Sequence, residues 1–163
     1  MARVRLDQLL VDRRLAPSRA AAQALLLVGF GPIVQRLLRV AEILEQDHGL
    51  ATTVVNARWA KPLDEELITA QTVGRRLVVT AEESAAMGGF GDGVLDALNR
   101  AGVRVPLLKI ALGEGFVHHG AVEDLRRQQR IDVPGMLVQI SDALGLEAPS
   151  VSTPGEPSSA SAA

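Results

Sequence analysis

Short unbroken apolar runs alternate along this chain with stretches whose apolar positions recur every three or four residues. Residues 51–55 (ATTVV), 77–80 (LVVT) and 103–110 (VRVPLLKI), and a run from about Leu25 to Val28, are bounded by Gly, Pro or charged positions. Runs of that length predict strands of a parallel sheet, and 51–55 reads as buried on both faces. Pro106 places 103–110 near a sheet edge. Gly29-Phe30-Gly31-Pro32 opens a helix whose stripe is Ile33, Leu37, Val40, Ala41 and Leu44, ending at His48-Gly49. Asp64 is an expected N-cap for a helix over 65–73, with Glu65 and Glu66 in its first turn. A helix runs from the Gly88-Gly89-Phe90-Gly91 turn to Leu98, and another covers 121–129 with Arg126, Arg127 and Arg130 on a solvated face. Asp132-Val133-Pro134-Gly135 starts a last helix that Gly145 stops. This alternation predicts a three-layer α/β fold, a mostly parallel sheet of about five strands between helices.

The ends read differently. Leu6, Leu9, Leu10 and Arg13 suggest a short amphipathic helix, Pro17 breaks it, and Ser18 caps a second one. Residues 147–163 are dominated by Pro, Ser and Ala and are expected to be disordered. The predicted organisation is therefore a basic helical extension over 1–24, one α/β domain over 25–146 and a tail over 147–163.

Composition narrows the function classes. A hydrophobic fraction of 47% supplies a core, but aromatics are only 2%, with one Trp and no Tyr, so Leu, Val, Ile and Ala must build it. The net charge of -2 argues against a wholly nucleic-acid-binding surface. Without cysteine there is neither a disulfide nor a thiolate nucleophile or ligand. Apolar runs fall short of membrane-spanning length, and a cytoplasmic location is expected. Charge is nonetheless uneven. Residues 1–39 carry Arg3, Arg5, Arg13, Arg14, Arg19, Arg36 and Arg39 against Asp7 and Asp12.

Chemistry-bearing patterns are sparse. Asn56, Arg58, Lys61 and Asp64 crowd the end of the 51–55 strand, where ligands and partner domains meet open α/β sheets. GFGP is too short for a dinucleotide fingerprint. Glu82 and Glu83 read as adjacent acids in an exposed loop, where burial does not split their acidities. Gly91-Asp92-Gly93 matches the opening of the thiamine-diphosphate motif, but Asp92 falls inside a helix start and no Asn follows Asn99. His118-His119 lacks an acid or cysteine at helical spacing to complete a metal set.

The ordered blocks VVNARWAKPLDEELI (54–68) and VVTAEESAAMGGFGDGVLDAL (78–98), with GFG (29–31) before them and VPLL (105–108), Leu112-Gly113, Phe116 and His119-Gly120 after them, resemble the C-terminal domain of the 1-deoxy-D-xylulose-5-phosphate synthases. That family lies within the thiamine-diphosphate-dependent transketolase superfamily, and the resemblance covers about residues 25–145. It implies the third domain of an enzyme that condenses pyruvate with glyceraldehyde 3-phosphate in non-mevalonate isoprenoid synthesis, using thiamine diphosphate and magnesium. The cofactor and substrate residues of that family lie in its first two domains. The resemblance thus implies that this chain binds neither cofactor, is inactive alone, and has a structural or dimerisation role. Homodimer or inter-domain contacts are expected at Arg58, Lys61, Asp64, Glu82, Glu83, Gly88, Gly89, Phe90 and His119. Residues 112–116 (LGEGF) depart from the family, which usually has Pro-Asp before the residue preceding Phe.

RLDQLLVDRRLAPSRAAAQALLLVG (5–29) resembles the first two helices of the RNA-binding module shared by a small-subunit ribosomal protein, pseudouridine synthases and hemolysin-like ribosomal RNA methyltransferases. The hairpin that completes that module is replaced here by the synthase-like domain. The resemblance implies an alternative role as an RNA-binding adaptor through Arg5, Arg13, Arg14 and Arg19, where cations near helix N-termini suit phosphates. A third reading is a subunit that completes a split thiamine-diphosphate-dependent synthase with a partner chain. The two resemblances meet at 24–28, which would end a helix in one family and form the first strand in the other. The strand is expected, because a parallel sheet lacking it is left with an open flank.

Overall fold

A computed structural model describes residues 24–147. The basic 1–23 segment and the tail from 148 lie outside the described residues. So do the RNA-contact expectations at Arg5, Arg13, Arg14 and Arg19.

The elements follow in the order β1 (Leu25–Gly29), α1 (Ile33–His48), β2 (Thr52–Asn56), α2 (Glu65–Thr72), β3 (Leu77–Ala85), α3 (Phe90–Arg100), β4 (Leu107–Leu112), α4 (Val122–Gln128) and α5 (Val133–Leu144). Among the described residues the strands form one four-stranded sheet ordered β2-β1-β3-β4, against about five strands expected. Every pairing is parallel, with Leu25 opposite both Thr52 and Leu77. β1 is thus interior to the sheet, and Leu25 to Val28 are fully buried. The LLLV run, which could have ended a helix, is the most buried strand of the domain.

Alternation along the strands sends side chains to two cores. Leu25, Leu27, Val79 and Ile110 meet α1 and α5 on one face. Leu26, Val28, Val55 and Val78 meet Ile68 of α2 and Val94 and Leu98 of α3 on the other. The result is the three-layer α/β arrangement that the alternating pattern predicts.

Two strand expectations are corrected. β2 is an edge strand, and Thr52, Thr53 and Val54 are only half-buried. An unpunctuated β-branched run therefore did not mean burial on both faces here; the two threonines suit a partly solvated position. β4 starts at Leu107, not at 103. Pro106 has no N–H to donate, but its carbonyl accepts from the Val78 N–H at 3.0 Å and leads the chain into β4. β4 is the other edge, as expected for this stretch, although Pro106 itself precedes the strand.

Helix ends follow their signals. Asp64 Oδ1 accepts from the Leu67 N–H at 2.9 Å, and Asp132 Oδ1 from the Gly135 N–H at 3.0 Å. Gly49 takes φ +62°, its N–H donating to Glu45 O while the Leu50 N–H donates to Leu44 O. This left-handed C-terminal turn satisfies the last carbonyls of α1.

Candidate functional site

Because all four strands are parallel, their carboxyl ends open on one side. The chain leaves β1 for β2 on one flank and later β3 on the other, so the switch point lies between β1 and β3. An open cleft of about 810 Å³ lies at this end, lined by residues that include Phe30, Lys61, Leu63, Gly88, Gly89, Phe90, Asp92 and Arg100. The Phe30 and Phe90 rings join the end of β1 to the start of α3, with centroids 5.1 Å apart.

The loop after β2 is shaped by its own residues. The Ala57 N–H donates to Gly29 O at 2.8 Å, so buried Ala57 stays tied to β1. Arg58 then takes φ +62°, uncommon for a residue with a Cβ, and the Asn56 side chain accepts its N–H at 2.9 Å. The chain turns outward, leaving Trp59 65% exposed. Arg58, Lys61 and Asp64 are exposed as well, although only Lys61 lines the cleft.

The loop after β3 differs from expectation. Glu82 and Glu83 are not a pair of exposed loop acids. β3 continues through them to Ala85, and alternation sends them apart. Glu82 is 1% exposed. Its carboxylate accepts the N–H groups of Phe90 at 2.7 Å and Gly91 at 2.8 Å, and the Ser84 hydroxyl. A buried carboxylate thus occupies the positive end of α3, which satisfies its otherwise unpaired amides. Gly89 is required there, since a Cβ would meet Ala85 O and the Glu82 carboxylate. Glu83 turns to solvent and two arginines, accepting from Arg126 Nε at 2.9 Å and Arg36 at 3.2 Å. Arg126 is therefore not on a solvated face; its side chain is 17% exposed.

Asp92 sits in the first turn of α3 and accepts from Lys109 Nζ at 2.6 Å and the Gly88 N–H at 2.7 Å. These bonds, the lysine's foremost, hold its carboxyl below the usual carboxylate range. Asp92 thus lies inside a helix start, as its sequence context predicts.

His119 lies in the β4–α4 loop, exposed and outside the cleft lining. Phe116, in the same loop, is 86% exposed and stands edge-on to His118, with ring centroids 5.6 Å apart. Among the described residues no three His, Cys, Asp or Glu side chains gather as a metal set.

The structure thus brings together Lys61, Gly88, Gly89 and Phe90, supported from below by Glu82. Arg58, Asp64, Glu83 and His119 are distributed around the same end of the sheet. Sequence reasoning missed Lys109, which holds Asp92 from β4, and the exposed Trp59 and Met87. The lysine carries no local signal, because its partner is 17 positions away.

Comparison with known proteins agrees with this architecture. The sequence model for the transketolase C-terminal domain matches residues 16–136. The chain belongs to the transketolase C-terminal domain family. It is 44% identical over 115 residues to the 1-deoxy-D-xylulose-5-phosphate synthase of Synechococcus sp. (strain JA-3-3Ab), a match covering 71% of this chain and 18% of that protein. It is 41% identical over 128 residues to the synthase of Thermosynechococcus vestitus (strain NIES-2133 / IAM M-273 / BP-1), covering 77% and 20%. The chain therefore spans about a fifth of the length of these relatives. Among solved structures, a split gene transketolase, described as an inactive β4 tetramer, superposes with a TM-score of 0.69 at 26% identity, covering 77% of this chain and 40% of that one. No helix among the described residues is long and apolar enough to cross a membrane.

Proposed function

We propose that this transketolase-type domain is a non-catalytic assembly unit, related by ancestry to isoprenoid synthesis, whose carboxyl-end rim packs against a second copy of the chain. The observation that carries the reading is the placement of Trp59, Met87 and Phe116. They are 65%, 73% and 86% exposed, and they occupy the loops after β2, β3 and β4 at one end of the sheet. Large apolar side chains grouped at one end of a domain suit association. The acidic groups there support the same reading, because Glu82, Glu83 and Asp92 are engaged in structural bonds.

A second reading is favoured by the split gene transketolase likeness. The same rim would then complete a thiamine-diphosphate-dependent partner chain. In both readings thiamine diphosphate and magnesium belong to other domains and are not bound by this chain. The RNA-adaptor alternative rests on arginines outside the described residues, and no observation favours it.

Calorimetry with thiamine diphosphate and magnesium, alongside the mass in solution, tests the proposal. A dimer with no cofactor uptake is the expected result. A monomer that associates only with chains carrying the thiamine domains supports the second reading. Micromolar cofactor binding by the chain alone overturns both. Trp59 is the only tryptophan in the sequence, so a blue shift of its emission on association would place the contact at the rim.

A further inference from the structure

The ion pairs around Glu83 do more than decorate the surface. Two carboxylates and two guanidiniums alternate across three elements. Glu83 of β3 pairs with Arg126 of α4 at 2.9 Å and Arg36 of α1 at 3.2 Å. Glu123 of α4 pairs with the same arginines, at 2.5 Å to Arg126 and 3.6 Å to Arg36. The Arg36, Arg126 and Glu83 side chains are 18%, 17% and 34% exposed and Glu123 69%, so the pairs made by Glu83 are partly withdrawn from water while those made by Glu123 face it.

Little else holds α4. It is 7 residues long and buries none of them, and Ala121 at its N-cap contributes no side-chain bond. A helix that short is marginal by itself. Both flanks suit hinges. Residues 113–120 include Gly113, Gly115 and Gly120, and Arg130 has φ +57° immediately before buried Ile131. Leu112 on one side and Ile131 on the other belong to the α1/α5 core, so the stretch between them can move while both ends stay anchored. Beneath it lies a pocket of about 170 Å³ lined in part by Leu112, Val117, Leu125 and Ile131.

We infer that residues 113–130 form a flap latched by charge, which opens about its two ends when the Glu83–Arg126 pairing is weakened, while the sheet stays folded. Salt is the natural probe. Raising ionic strength from about 0.01 M to about 1 M shortens the Debye length from about 30 Å to about 3 Å, which weakens partly exposed pairs far more than apolar cores. Hydrogen exchange of the full-length chain, read by mass spectrometry at both salt levels, is the test. The expected result is exchange in α4 and at the Ile131 amide, which donates to Arg126 O, accelerated on the order of fivefold at high salt, with β1 and β3 unchanged.

Glu83→Gln and Arg126→Gln should each speed exchange at low salt and shrink the salt response, the Arg36–Glu123 pair accounting for what remains, and the double variant should add little further. Should one variant not fold, the other and the wild-type salt arm carry the test. Exchange in α4 that ignores salt, acceleration shared equally by β1 and β3, or a Glu83→Gln variant whose salt response is undiminished would each overturn the flap.

Discussion

Glu82 shows how far a residue's role depends on where it is placed. Its sequence context, two acids in a row, suggests solvent. The strand carries it inward, and three donors converge on it. Glu82→Ala leaves the Phe90 and Gly91 amides without their acceptor. Urea denaturation should show a loss of about 3 kcal/mol, because each buried donor left unpaired costs about 1–3 kcal/mol. Asp92 makes a different prediction. Its carboxyl lies below its ordinary value in the folded chain, chiefly through the bond from Lys109. A depressed folded-state value means the contribution is complete above the unfolded value of about 3.9 and is lost as pH falls through the folded one. Urea midpoints taken from about pH 6 down to about pH 2 should fall less steeply for Asp92→Asn than for wild type, the difference developing below about pH 4.

At the scale of elements, the chain's punctuation was reliable wherever the physics is local. Asp64, Gly49, Asp132 and Gly145 act at the positions where their side chain, or the lack of one, dictates. Asp64→Ala should cost about 1 kcal/mol, the usual value of a lost N-cap, read as a shift in urea midpoint at unchanged slope. Its acceptor bond to Leu67 is exposed, so repair by water keeps the cost from growing. Elements whose state depends on neighbours were less legible. The ATTVV run reads as buried on both faces but is a half-buried edge strand, whereas LLLV, claimed by two resemblances, lies inside the sheet. Apolar periodicity reports how a strand can be buried, and strand order decides how much of that burial is realised.

At the scale of the molecule, parallel strands collect every βα loop at one end. That geometry turns scattered residues into a surface. Trp59 and Met87 come from loops after opposite flanking strands of β1, and neither contributes to either core. Replacing both by Ser should leave the unfolding free energy within about 0.5 kcal/mol of wild type, as for most surface changes. The same variant should weaken self-association, or association with a thiamine-domain partner, measured by sedimentation. A variant that unfolds instead, or one that associates normally, would remove the rim from the proposed interface.

What the amino-acid order determined by itself was the class of fold, the succession of elements, their caps, and the family. These rest on interactions within a few residues, or on ordered blocks that are visible in one dimension. Only the tertiary structure decided which strand is central, that Glu82 is buried under α3 while Glu83 holds two arginines, and that Lys109 holds Asp92. Those outcomes join positions separated by between 8 and 47 residues. Chain separation carries no sign of contact until strand order and register bring the residues together, because a hydrogen bond or ion pair is set by distances of a few ångströms in space.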